Sequence, residues 1–215
     1  RFTDLLPGTG YTHNIYIGQV KRFVLKGSTV VGARGGHEVK SRALSNRIVA
    51  NRILDKSSDA SYSIDLPNGG AALIAGNLVQ QGPNSPNRTL ISYGAEGATN
   101  PSHRLWIVNN TLVNAQSTGT WVAVAPGTDA HLWNNLLVGA GEALTGIGDV
   151  RSTKTWTTNW TANFVDPGRY DYRLTARSPA INGGTTPPRA FRARWEWRTP
   201  SRAVRRVVDG RWDLG

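Results

Sequence analysis

An asparagine followed by a short aliphatic run returns about every 24 to 30 residues along this chain, and that period limits the fold more than any other feature. It reads IVANRIL around Asn51, LIAGNLV around Asn77, WIVNNTLV around Asn110 and LWNNLLV around Asn135, with VLKGSTVV around Ser28 as a serine-bearing member. A unit of this length cannot bury its own apolar side. Stacking copies of it creates a continuous core, so the period predicts a solenoid.

Five successive segments align on the repeat: residues 13–36, 37–60, 61–87, 88–117 and 119–143. Each opens with a short strand-like run, passes through a polar turn, and closes on the run that carries Asn. Length differences fall in the turns. Stacked asparagines can bond their neighbours and the turn backbone, contributing on the order of 1 kcal/mol per satisfied bond, so they are expected to be scaffold. Val30, Ile53, Val79, Leu112 and Leu137 follow the ladder position by two residues and share its face. They should form an inward stack worth roughly 1.5 to 3 kcal/mol per side chain.

Composition agrees with strands and turns: 24 Gly, short apolar runs of Val, Ile, Leu and Trp, and few helix-favouring stretches. At 215 residues a single domain is expected, with coils over 1–149 and a C-terminal cap with a basic tail over 150–215. No apolar stretch reaches the roughly 20 residues that span a bilayer. The chain starts at Arg1 and has no Met, so a leading segment and earlier coils are expected to lie outside it, with RFTDLL as a coil fragment. The absence of Cys excludes a disulfide framework and thiolate metal sites.

The net charge of +11 suits a polyanionic partner. Residues 187–215 hold eight Arg against Glu196, Asp209 and Asp213, a net of +5, which leaves +6 for the residues before them. A solvated basic tail is the expectation there. No nucleic-acid module signature accompanies the charge, so nucleic acid is not expected as a partner.

With these repeats, and with a segment FVDPGRYDYRLTARSPAINGG over 164–184 of the kind that follows the last coil in many bacterial relatives, the chain resembles the right-handed parallel β-helix superfamily. That superfamily includes pectate lyases, polygalacturonases, alginate lyases and chondroitinase B. GHEVKSRA, SYSIDLPNGG, LVQQGP and ISYGAEG are also similar to segments of bacterial β-helix repeat proteins without assigned activity. The resemblance implies an all-β, right-handed parallel β-helix of about five coils with a C-terminal capping extension. It further implies an exported, secreted or periplasmic protein, monomeric, acting on an acidic polysaccharide bound along the outer face of the sheet made by the opening strands.

Strand alternation then sorts the residues of those strands. With Val39 inward, Glu38, Lys40 and Arg42 face out; with Ile64 and Leu66 inward, Asp65 faces out; Tyr16 alternates with Ile15 and Ile17. The next coils offer Tyr93, Glu96 and Trp121. Elimination on a uronate needs a cation to neutralise the carboxylate, a base for the α-proton and an acid for O4. Lys40 is the candidate base if Arg42 lowers its pKa, with Tyr93 or Tyr62 as proton donor; Arg42 can instead grip the carboxylate bidentately. Tyr16, Glu38, Asp65, Asn68 and Trp121 are candidate substrate-binding residues. Asp65 and Glu96, with Asn68, are candidate Ca²⁺ ligands.

Three functions stay open at this point: a polysaccharide lyase, a non-catalytic polysaccharide-binding or adhesion solenoid, and a glycoside hydrolase using Asp65 and Glu96. A surface charge ladder over Glu38, Lys40, Arg42 and Asp65 is the structural alternative to all three.

Overall fold

A computed structural model describes residues 2–3, 11–159, 163–198 and 202–215. The chain winds as a right-handed parallel β-helix in which three parallel sheets run the length of the stack. The opening sheet holds Ile15–Ile17, Val39–Ser41, Ile64–Leu66, Thr89–Tyr93, Thr120–Val124 and Glu142–Thr145. The middle sheet holds Phe23–Lys26, Ser45–Val49, Ala71–Ala75, Arg104–Val108, Thr128–Trp133 and Gly148–Thr153. The ladder sheet holds Thr29–Val31, Arg52–Leu54, Leu78–Gln81, Thr111–Asn114, Leu136–Val138 and Trp156–Thr158, preceded by Phe2–Thr3 paired with Val30 and Val31. The last strand of each sheet builds a further coil over 142–158, so the coils run past residue 149, where the sequence places the start of the cap. The rest of the first ten residues, where the RFTDLL reading falls, lies outside the described residues. Among the described residues no helix is long and apolar enough to cross a membrane.

The repeat exists because of one corner. Between the middle and ladder sheets the backbone takes the left-handed conformation at Gly27, Ala50, Gly76, Asn109, Asn134 and Lys154, with φ between 50 and 64°. Gly and Asn adopt it at least cost, and four of these six positions carry one of them. That conformation turns the next residue, the ladder position, into the coil. Asn51 Nδ2 donates to Asn77 Oδ1 at 3.0 Å, Asn77 Nδ2 to Asn110 Oδ1 at 2.9 Å, and Asn110 Nδ2 to Asn135 Oδ1 at 3.0 Å. Each also receives the backbone N–H of the preceding ladder residue. Ser28 opens the ladder through its own N–H on Asn51 Oδ1, and Thr155 closes it beside Asn135.

Val30, Ile53, Val79, Leu112 and Leu137 are all fully buried in the central core, as their spacing requires. Inward residues of the opening sheet meet them: Ile15, Val39, Ile64, Ile91 and Val122 in one register row.

Residues 164–198 and 202–215 lie along the sides of the stack. Tyr172, Ala180 and Leu214 cover the outer face of the ladder sheet at Leu54, Leu78, Val113, Leu136 and Val138. Ala193 and Phe191 cover the middle sheet, where Phe191 stacks on Trp106 at 3.8 Å and His131 stacks on the same indole at 3.9 Å. The basic tail is therefore not wholly solvated, as its composition suggests. The Arg206 side chain is only 6% exposed, pairs with Glu196 at 3.1 Å, and donates to the Gly215 carbonyl. These contacts engage the outer faces of two sheets, and the candidate site lies on the third.

Candidate functional site

On the opening sheet one row points outward: Tyr16, Lys40, Asp65, Ser92, Ala123 and Thr145 occupy the same register position in successive coils. Parallel strands stand about 4.8 Å apart, which places a phenol, an ammonium and a carboxylate within reach of one another. Lys40 Nζ lies 3.3 Å from Asp65 Oδ2 and 2.7 Å from Glu96 Oε1. Glu96, from the turn after Thr89–Tyr93, accepts Arg42 Nη2 on its other oxygen at 2.6 Å. The same guanidinium donates from Nη1 to Asn68 Oδ1 at 2.7 Å and from Nε to Tyr16 Oη at 3.0 Å. Asn68 is fixed in turn by donating to Thr99 Oγ1. Six residues named from the sequence, Tyr16, Lys40, Arg42, Asp65, Asn68 and Glu96, thus converge.

Above them opens a cleft of about 640 Å³ lined by Tyr11, Thr12, His13, Tyr16, Lys40, Arg42 and Glu96. Exposure is graded across it: the Glu96 side chain is 45% exposed, Arg42 23%, Lys40 10% and Asp65 3%. At the cleft's outer edge the rings of Tyr11 and Tyr16 are exposed, as is the Glu96 carboxylate that holds the cation pair.

Two histidines that the alternation of the opening strands does not single out lie beside this cluster. His13 and His37 stack at 4.7 Å, His37 packs on Tyr62 at 5.0 Å, and His13 packs on Tyr16. His13 Nδ1 accepts the His37 N–H, and His37 Nδ1 accepts the Tyr62 N–H. Each neutral ring therefore carries its proton on Nε2, and that of His37 faces Asp65 Oδ2 at 3.4 Å. Their spacing of one coil, 24 residues, is the signal by which the sequence could have paired them.

Charge follows from these contacts. Burial pushes His37 down to about 3, helped by His13 and Lys40, and burial together with Lys40 and Arg42 also lowers His13. Burial works against the Lys40 ammonium, but the Glu96 hydrogen bond and the Asp65 charge outweigh it, and its pKa is raised. Hydrogen bonds from Lys40 and Arg42 hold the Glu96 carboxyl below its ordinary value. Burial raises Asp65 despite Lys40, and Asp65 Oδ1 is buried without a hydrogen-bond partner.

Several sequence expectations are corrected. Lys40 is not the lowered amine a general base requires: two carboxylates keep it protonated. Tyr93 shares parity with Ile91, pairs in register with inward Leu66 and Val124, and is buried with Oη donating to the Gly70 carbonyl at 2.6 Å. It cannot reach a ligand in the cleft. Glu38 and Trp121 fail for a common reason. They precede the first inward residue of their strands, as Ser63 and Leu90 do, and at that corner the side chain turns inward instead of alternating. Glu38 is fully buried and accepts the N–H groups of Gly32 and Ala33 and the Asn14 amide. Trp121 is fully buried in the core with Nε1 donating to the Leu112 carbonyl. Tyr62 is half-buried beneath His37 rather than over the Lys40–Arg42 pair.

Asp65 and Glu96 do not form a Ca²⁺ pair, because the Lys40 ammonium already stands between their oxygens. Among the described residues no group of three or more His, Cys, Asp or Glu could hold a metal ion. The same ammonium and the burial of Asp65 separate the two carboxylates as a hydrolytic pair.

Comparison with family models, with curated proteins and with solved structures finds no match to the chain.

Proposed function

We propose that the cleft on the opening sheet binds the carboxylates of an acidic polysaccharide, and that Glu96 holds the cation pair until such a ligand replaces it. One observation carries the reading: Lys40 Nζ and Arg42 Nη2 both converge on a single carboxylate, at 2.7 and 2.6 Å, and that carboxylate belongs to the most exposed charged residue of the cluster. A uronate carboxylate offers the same two oxygens to the same two donors, with the guanidinium available for fork geometry. Exposed Tyr11 and Tyr16 add aromatic faces against which a sugar ring can rest. This substrate class agrees with the pectate lyase-like resemblance of the repeats, and a secreted or periplasmic location goes with it.

β-Elimination is the second reading, favoured by Tyr16, whose Oη sits 3.0 Å from Arg42 Nε. A phenol beside the cation that neutralises a uronate is placed to exchange a proton with the bound sugar.

The test is a panel of alginate, pectate, hyaluronan, chondroitin and heparin, followed both for binding and for absorbance in the unsaturated-uronate band. Saturable binding of a uronate polymer that is lost in Arg42→Ala supports the site. Absorbance growth that Tyr16→Phe removes establishes elimination. Failure of every polymer to bind refutes the proposal.

A further inference from the structure

A second cleft lies on the other side of the solenoid, where residues 189–195 cross the outer face of the middle sheet. It encloses about 650 Å³, a size typical of ligand sites, and its walls carry Lys26, Arg47, Arg189, Arg192 and Arg194. Among the described residues none of these five cations makes an ion pair. The contrast with the first cleft is chemical: there Glu96 neutralises Lys40 and Arg42, whereas among the described residues no carboxylate lines this groove.

The positions are built in. Val24, Arg47 and Leu73 share one outward register row, and Lys26, Val49 and Ala75 the other, so each row mixes one cation with apolar residues. Arg189, Arg192 and Arg194 come from the non-strand segment that Phe191 and Ala193 clamp onto the sheet. Lys26 Nζ rests 3.7 Å from the Trp195 ring centroid, which fixes one wall. The result is a largely aliphatic floor with Lys26 and Arg47 set within it, beside a segment that carries Arg189, Arg192 and Arg194.

We infer that this groove is a binding site for an anionic polysaccharide chain bearing sulfate or carboxylate groups. Five uncompensated cations on low-dielectric walls raise the local concentration of anions. Four of the five are guanidiniums, which hold oxyanions bidentately. The aliphatic floor suits the C–H faces of pyranose rings. Nucleic acid fits less well, because bases are held by stacking on aromatic faces and the one aromatic wall, Trp195, already carries Lys26. The site is separate from the carboxylate cleft and does not rest on that reading.

The test is titration of the whole chain with a heparin-derived hexasaccharide, an oligogalacturonate, and an oligothymidylate matched in charge to the hexasaccharide. Wild-type protein and Arg47→Gln/Arg189→Gln/Arg194→Gln are compared, with Arg194→Gln alone in case the triple variant unfolds. The triple variant should lose about tenfold or more in affinity for the saccharide, the single variant a smaller part of that, and the salt dependence of binding should flatten. Preference for the hexasaccharide or for the oligogalacturonate tells sulfate from carboxylate as the anion held. Each titration is repeated in the Arg42→Ala background, where the carboxylate cleft is silenced, and the groove's share of the binding should persist there. In that background, unaltered saccharide affinity in the triple variant, or in Arg194→Gln should the triple variant unfold, overturns the site; loss of all saccharide binding in Arg42→Ala alone assigns the ligand to the other cleft. Equal affinity for the oligothymidylate through the same residues overturns the ligand class.

Discussion

Replacing Asn77 with Ala removes the centre of the asparagine ladder. Asn77 is 2% exposed; its amide donates to the Ile48 carbonyl and to Asn110 Oδ1, and its oxygen accepts both the N–H and the side-chain amide of Asn51. The substitution leaves the Asn51 N–H buried without its side-chain acceptor, a loss of about 1 to 3 kcal/mol, and breaks the remaining bonds at roughly 0.5 to 1.5 kcal/mol each. Partial rearrangement of Asn51 Nδ2, which retains the Leu25 carbonyl, brings the expected total to about 3 kcal/mol. Ser28→Ala, at the edge of the ladder, removes only a long hydroxyl contact to the Lys26 carbonyl and should stay within about 0.5 kcal/mol. Urea unfolding followed by far-ultraviolet circular dichroism should shift the Asn77→Ala midpoint down by about 1 M, with the Ser28→Ala curve close to wild type. A cost for Asn77→Ala below about 1 kcal/mol, or equal to that of Ser28→Ala, would refute the ladder as a buried bonding network.

Tyr93→Phe removes a buried hydroxyl whose bond to Gly70 is its main anchor, and should cost about 1 to 2 kcal/mol in the same urea assay while leaving polysaccharide binding unchanged. Two buried groups set an opposed pH dependence. His37, held at about 3 against 6.5 unfolded, contributes stability present above pH 6.5 and lost as pH falls toward 3; Asp55, raised by burial to about 7 against 3.8 despite the Ala60 and Gly82 N–H groups, contributes stability present below pH 3.8 and lost as pH rises through 7. Each changes by about 2 kcal/mol between pH 7 and 5, in opposite directions. Chemical denaturation at the two pH values should show His37→Asn more stable at pH 5 than at pH 7, and Asp55→Asn the reverse, relative to the wild type's difference; identical pH slopes in both variants would contradict the assignment.

The coil architecture was legible because the ladder and its aliphatic partners repeat at a fixed spacing, and residues at that spacing must share one environment in a stack. Asn51, Asn77, Asn110 and Asn135 are buried and bonded as that reasoning requires. The outward row was legible wherever period two holds, which is why Tyr16, Lys40 and Asp65 align. Alternation fails at the corner where each opening strand begins, and Glu38 and Trp121 were lost there. Neither corner geometry nor the extension's path is encoded in local periodicity. The position of residues 189–195 over the middle sheet depends on Phe191 finding Trp106, a contact across 85 residues of chain. His13 and His37 carried a usable signal, since they stand one coil apart, but an isolated histidine per coil is easily taken for a turn residue.

Glu96→Gln tests the carboxylate cleft most directly, because it deletes the competing charge while keeping the shape of the side chain. Isothermal titration of wild type, Glu96→Gln and Arg42→Ala with an oligogalacturonate should give tighter binding in Glu96→Gln, by about threefold given the exposure of the Glu96 carboxylate, and loss of binding in Arg42→Ala. Weaker or unchanged affinity in Glu96→Gln, or undiminished affinity in Arg42→Ala, would show that Lys40 and Arg42 form a surface charge ladder and not a site for a sugar carboxylate.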